Sequence, residues 1–156
     1  MIKRLKDFLS LVQSPSGLGI LLRIGFWLGL VSFLLRFFPL PRILQALEKF
    51  PPKNLQLPPK KLVDFTSFWL ERNFWFFKPS CLKRSLVLYR YLKAQALPVK
   101  FYLGVKKEND QLKGHCWLML NNQYLLPDEE PGWKVIYCYP EDKTRVPEKN
   151  LMEIID

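Results

Sequence analysis

Apolar positions recur at helical spacing from the start of the chain. Ile2, Leu5, Phe8, Leu9 and Val12 share one face between Met1 and Val12, with Lys3, Arg4 and Lys6 on the others. Ser14-Pro15-Ser16-Gly17 breaks that helix. From Leu18 to Leu40 the chain is almost continuously apolar, interrupted by Arg23 and Arg36 and stopped by Pro39. Pro41 suits the first turn of a short helix that carries Ile43, Leu44 and Leu47 on one face. Residues 51–60, PPKNLQLPPK, hold four prolines and read as an extended connector. Over 61–77 seven aromatics follow, with Phe65, Phe68, Trp69, Arg72 and Phe76 at helical spacing, so a helix with a wide aromatic face is predicted. Lys78-Pro79 ends it. Ser80, a favourable N-cap, opens a further helix from Cys81 to about Ala96, with Cys81, Ser85, Leu88 and Leu92 in one stripe.

Beyond Pro98 the period changes to that of strands. Val99–Val105 and His115–Leu120 read as two strands about a turn at Glu108-Asn109-Asp110. Asn121-Asn122 is a tight-hairpin signal, Gln123 to Leu126 the returning strand, and Trp133 to Tyr139 a fourth. Helices first and an antiparallel meander afterwards predict an α+β fold. The proline-rich connector divides the expectation into a basic, apolar helical region over 1–60 and a core over 61–156.

Composition narrows the classes. A chain of 156 residues supports one domain, and 49% hydrophobic with 24% charged residues excludes a disordered tail. Three cysteines cannot all pair, which points to a reducing, cytoplasmic setting. The net charge of +10 is uneven: residues 1–80 hold 12 Lys/Arg against 4 Asp/Glu, or +8. An anionic neighbour is implied. The cations surround the most apolar stretch, where only twelve uncharged residues separate Arg23 from Arg36. A spanning helix needs about 20 apolar residues. Residues 1–50 therefore span a membrane, lie at its inner face, or pack on the domain. The apolar run starts too late for a secretory signal and lacks a cleavage site. Nucleic acid is disfavoured, because the basic residues are interleaved with aliphatic side chains and no recognition motif is present.

The single histidine frames the chemistry. Strand alternation puts His115, Trp117 and Met119 on one face and Cys116 and Leu118 on the other. Cys116 thus points away from the imidazole, and Cys138 reads as an inert core thiol. Cys81 differs, because it occupies the first turn of a helix, where free N–H groups and the helix dipole favour an anion. Lys83 and Arg84 add positive charge. Both effects lower a thiol pKa. A helix-borne cysteine and a strand-borne histidine form a dyad suited to acyl transfer. A zinc site from Cys81, His115, Cys116 and Cys138 lacks a C-x-x-C pair and is not expected.

Three blocks carry a resemblance: Cys81-Leu82-Lys83-Arg84-Ser85-Leu86, then Leu103-Gly104-Val105, then Gly114-His115-Cys116-Trp117-Leu118. In this order they resemble the transglutaminase-like leader peptidases that process lasso-peptide precursors. The likeness covers roughly 60–140, and the basic N-terminal helices are similar to the stand-alone form. Cys116 departs from the family's usual alanine and is expected to point outward. The resemblance implies a papain/transglutaminase-like fold and a third catalytic residue about a dozen positions after His115. Asp128, Glu129 and Glu130 are the candidates. Asp128 is preferred because a hairpin at Asn121-Asn122 brings 126–128 level with 115–117. It further implies leader removal by a Cys81–His115–Asp128 triad without cofactor or metal. Implied partners are the precursor peptide, a separate leader-recognition protein and an ATP-dependent macrocyclase. Transglutaminase-type acyl transfer, or a non-catalytic basic protein binding membrane or a partner through 1–61, are the rival readings.

Overall fold

The computed structural model describes residues 15–49, 57–71, 80–126 and 132–140. The expected helix at 1–12, the connector over 51–56, the aromatic positions 72–77 and the acids 128–130 lie outside the described residues.

Helix α1, Pro15–Phe37, begins on a proline, whose missing N–H costs nothing at a first helical turn. It ends ahead of Pro39, whose ring disfavours helical geometry in the residue before it. The Pro39 carbonyl then accepts from Arg42 and Ile43 (3.1 and 3.3 Å), starting α2 at Leu40–Lys49, one residue before the expected Pro41. Helix α3, Pro59–Glu71, likewise starts two residues early, on Pro58 and Pro59. Helix α4, Cys81–Ala94, ends in a left-handed Ala96 (φ 56°) with Leu97 N–H bonded to Leu92 O at 3.2 Å. That 6→1 closure normally uses glycine.

Strands β1, Val99–Glu108, and β2, Gln111–Leu120, pair antiparallel from Val99↔Leu120 to Glu108↔Gln111. Both two-residue turns, Asn109-Asp110 and Asn121-Asn122, have positive φ throughout, the hairpin geometry that Asn and Asp tolerate. Strand β3 is only Gln123–Tyr124, shorter than the expected 123–126, although Leu125 N–H still reaches Leu118 O at 3.0 Å. Strand β4, Lys134–Tyr139, departs from a meander. The sheet order is β3-β2-β1-β4, with β4 crossing to β1. The reason is edge length: β3 offers two residues, whereas β1 has a ten-residue free edge.

One core joins the helices to one face of this sheet. Leu21, Ile24, Leu28 and Val31 of α1, Ile43, Leu44 and Leu47 of α2, and Leu62 and Phe65 of α3 are buried with Leu86, Leu88 and Leu92 of α4. From the sheet, Val99, Phe101, Cys116 and Leu118 complete it. Gly25 lies beneath the Trp69 ring, where an added Cβ would come within 2.7 Å, and Trp69 Nε1 donates to Leu21 O at 2.8 Å. Glu48 of α2 is the polar counterpart. Tyr89 and Tyr139 donate to its carboxylate at 2.6 and 2.9 Å, and Lys93 stands at 3.4 Å. The result is the expected α+β architecture, helices on a four-stranded antiparallel sheet.

Candidate active site

Helix α4 packs on the core face of the sheet, while His115 belongs to the other face. The two meet along the edge of β2 away from β1: β3 pairs with Met119 and Leu120, Leu125 N–H reaches Leu118 O, and ahead of these no strand among the described residues lies on that edge. Unpaired backbone groups on such an edge require partners. Helix α4 supplies them for Cys116. The Cys116 N–H donates to the Cys81 sulfur, and the Cys116 carbonyl accepts from Ser85 Oγ at 3.3 Å. Cys81 and Ser85 lie one helical turn apart, so one face of α4 runs along this edge.

The start of α4 is therefore fixed against β2 with Cys81 half-buried. Ser80 has extended backbone (φ −145°, ψ 128°), but its hydroxyl does not cap the helix; only its carbonyl is engaged, by Arg84 N–H at 3.1 Å. The expected serine cap is not formed, so the first-turn N–H groups gain no acceptor from the Ser80 side chain.

The Cys81 thiol is held far below its ordinary range, at about 5. The hydrogen bond donated by the Cys116 thiol is the main cause, and it outweighs the opposing effect of burial. The Cys116 N–H and the charge and hydrogen bond of His115 lower it further. The Cys116 thiol is raised correspondingly by donating to Cys81, by burial and by the negative charge beside it.

This corrects the sequence reading of Cys116. It does lie across the strand from the imidazole, but it does not point outward. It is buried against α4, in contact with Cys81. Cys138 is buried as expected, with its sulfur 3.5 Å from the Pro140 carbonyl.

On the other face the rings form a row. Tyr102 stacks on Trp117 (centroids 5.7 Å, 9°), Trp117 lies near-parallel to His115 (6.1 Å, 15°), and Trp133 closes on His115 at 5.1 Å. Gly104, opposite His115 in β1, makes room for them. A Cβ there would come within 2.7 Å of the Trp117 ring and 2.9 Å of Trp133 Cβ. Trp133 reaches this face through a bulge. Leu103 pairs with Tyr137 but Gly104 with Val135, so the extra residue Ile136 turns the start of β4 over. Strand alternation anticipates His115 and Trp117 on one face; it misses Tyr102 and Trp133, although Gly104 in the neighbouring strand and Trp133 just ahead of β4 were the visible traces.

The structure thus brings Cys81 and His115 together, and Asp128 lies outside the described residues. Among the described residues no cluster of His, Cys, Asp or Glu is able to hold a metal ion. No curated protein and no solved structure gives a match. The family description "transglutaminase-like superfamily" matches residues 27–137, which takes in part of α1, all of α2 to α4, strands β1 to β3 and the first part of β4. A thiolate at a helix start, beside a strand histidine within that span, is the chemistry of cysteine peptidases and acyl transferases, and the chain belongs to the transglutaminase-like superfamily.

Proposed function

We propose that the protein is a cysteine peptidase that removes the leader from a ribosomally made lasso-peptide precursor. The observation that carries the peptidase chemistry is Cys81, half-buried at the uncapped start of α4 against Cys116 and beside His115, whose thiol is held well below its ordinary range. The choice of substrate rests on the order of the C-L-x-R-S-L, L-G-V and G-H-C-W-L blocks.

In this reading the Cys81 sulfur attacks the carbonyl at the junction of leader and core. The oxygen that becomes negative is met by the Cys81 backbone N–H, aided by the helix dipole. His115 gives its proton to the departing amine as the C–N bond breaks, leaving a thioester. It then takes a proton from water, which attacks the thioester and releases the acid and the Cys81 thiolate. Asp128 orients the imidazole. Its support is the family resemblance, which implies an acid about a dozen residues after His115. A separate leader-recognition protein and an ATP-dependent macrocyclase act before and after this step.

Incubating the full chain with a leader–core peptide and a candidate recognition protein tests the proposal by mass spectrometry. Two fragments, one gaining the elements of water, are expected. A labelled amine included in the same reaction separates hydrolysis from acyl transfer by product mass. An intact peptide, or amide product alone, would overturn leader hydrolysis.

A further inference from the structure

Helix α1 has two apolar faces, and the fold uses one. Leu21, Ile24, Leu28 and Val31 are buried, and the Arg90 guanidinium lies 3.5 Å from the centroid of the Trp27 ring. On the opposite side Leu22, Phe26, Phe33 and Phe37 are 59, 66, 60 and 61% exposed. Together with Leu18 they fall within a sector of about 100° at 3.6 residues per turn, a stripe about 28 Å long. A continuous apolar patch of this kind marks an interaction site. Exposed Arg23 and Arg36 flank the stripe on its two sides, and exposed Arg42 and Lys49 follow on α2. The one acid between residues 15 and 49 is Glu48, and it is engaged by Tyr89, Tyr139 and Lys93. The face is therefore apolar, bordered by cations, and without an available carboxylate.

We infer that this face of α1 docks in the plane of an anionic lipid surface. Phe26, Phe33 and Phe37 enter the boundary of the acyl chains, while Arg23, Arg36 and Arg42 meet headgroup phosphates. Charge complementarity selects the occupant: a single convex helix offers no groove for a peptide, and apolar rings edged by arginines match an anionic bilayer. The helix is long and apolar enough over Gly17–Phe37 to cross a membrane. Its packing rules that disposition out, because crossing would strip Ile24 and Leu28 from the core and carry buried Arg90, seated on mid-helix Trp27, toward the bilayer centre. The docking reading stands apart from the peptidase proposal and is tested without substrate.

The test is flotation of the full-length protein with vesicles of phosphatidylcholine alone and of phosphatidylcholine mixed with phosphatidylglycerol, at low and high salt. The wild type is expected to float with the mixed vesicles and to be released by salt. Replacing Arg23 or Arg36 by Gln should weaken binding about five-fold each. A double variant, Phe26→Glu with Phe33→Glu, should not float, while its circular dichroism and its Cys81 alkylation rate match the wild type. Four results would overturn the inference: a wild type that does not float, flotation indifferent to phosphatidylglycerol, flotation retained by the double variant, or a stable dimer that Phe26→Glu dissociates. The last would assign the face to a second copy of the chain.

Discussion

The Cys116 carbonyl accepts from Ser85 Oγ at 3.3 Å, and the Cys116 N–H donates to the Cys81 sulfur one turn away. Helix α4 thus covers this edge of β2 with the same stripe that carries Cys81. Edge protection and positioning of the thiolate are one arrangement. Ser85→Ala should leave the buried Cys116 carbonyl unpaired and cost about 1–3 kcal/mol of stability. It should also lower the Cys81 alkylation rate at neutral pH, because the helix start loses its second tie to β2. Chemical denaturation and iodoacetamide kinetics measure the two effects.

Activity should rise with pH through a limb near 5, where Cys81 ionises. The sign follows from the depressed pKa. The thiolate's stabilising interactions are fully present above the unfolded thiol's pKa and are lost as pH falls through about 5. Cys116→Ala removes the largest cause of the depression and should move the limb of both kcat/KM and thiol alkylation to higher pH. At pH 6 this variant should be markedly slower than wild type, and the gap should close on the alkaline side. An unmoved limb would contradict the thiol–thiolate hydrogen bond.

Gly104→Ala should impair the site from the opposite face. A Cβ at Gly104 meets both Trp117 and Trp133, so one ring must leave the row that packs His115. Overpacking of this kind costs about 1–3 kcal/mol. The expected signature is a fall in kcat exceeding any change in KM, since the imidazole and not the peptide-binding surface is disturbed. Equal kcat in a folded Gly104→Ala protein would show that the ring row does not orient His115.

Ala96→Gly should stabilise the protein. Ala96 holds a left-handed conformation at the end of α4, which costs an L-residue about 1–2 kcal/mol relative to glycine. The greater freedom of glycine in the unfolded chain offsets part of that gain. A net increase in denaturation midpoint is expected with peptidase activity unchanged, because the substitution lies at the far end of α4 from Cys81.

Much of this was legible in the sequence. Proline punctuation located the ends of α1 and α4 and the starts of α2 and α3 to within a residue or two, and the two Asn-containing turns announced hairpins because Asn tolerates positive φ. The position of Cys81 at a helix start and of His115 in a strand was legible too. Other features depend on relations between distant segments. Periodicity places Cys116 on the face opposite His115, but it does not say that α4 covers that face, so a residue expected to point outward is in fact buried beside Cys81. The crossing of β4 to β1, and the bulge at Ile136 that delivers Trp133 to His115, are consequences of sheet order. Glu48, charged and inside an amphipathic helix, gave no sign that two tyrosines from α4 and β4 would donate to it.

The role assigned to Cys81 is tested most directly by single-turnover cleavage of a leader–core peptide by wild type, Cys81→Ala and Cys138→Ala, with circular dichroism confirming that each is folded. Cys81→Ala is expected to lose at least about 10⁴-fold in rate, as enzymes stripped of their nucleophile do. Cys138→Ala should cleave at close to the wild-type rate. Cleavage by folded Cys81→Ala at the wild-type rate would contradict the Cys81 thiolate as the attacking group.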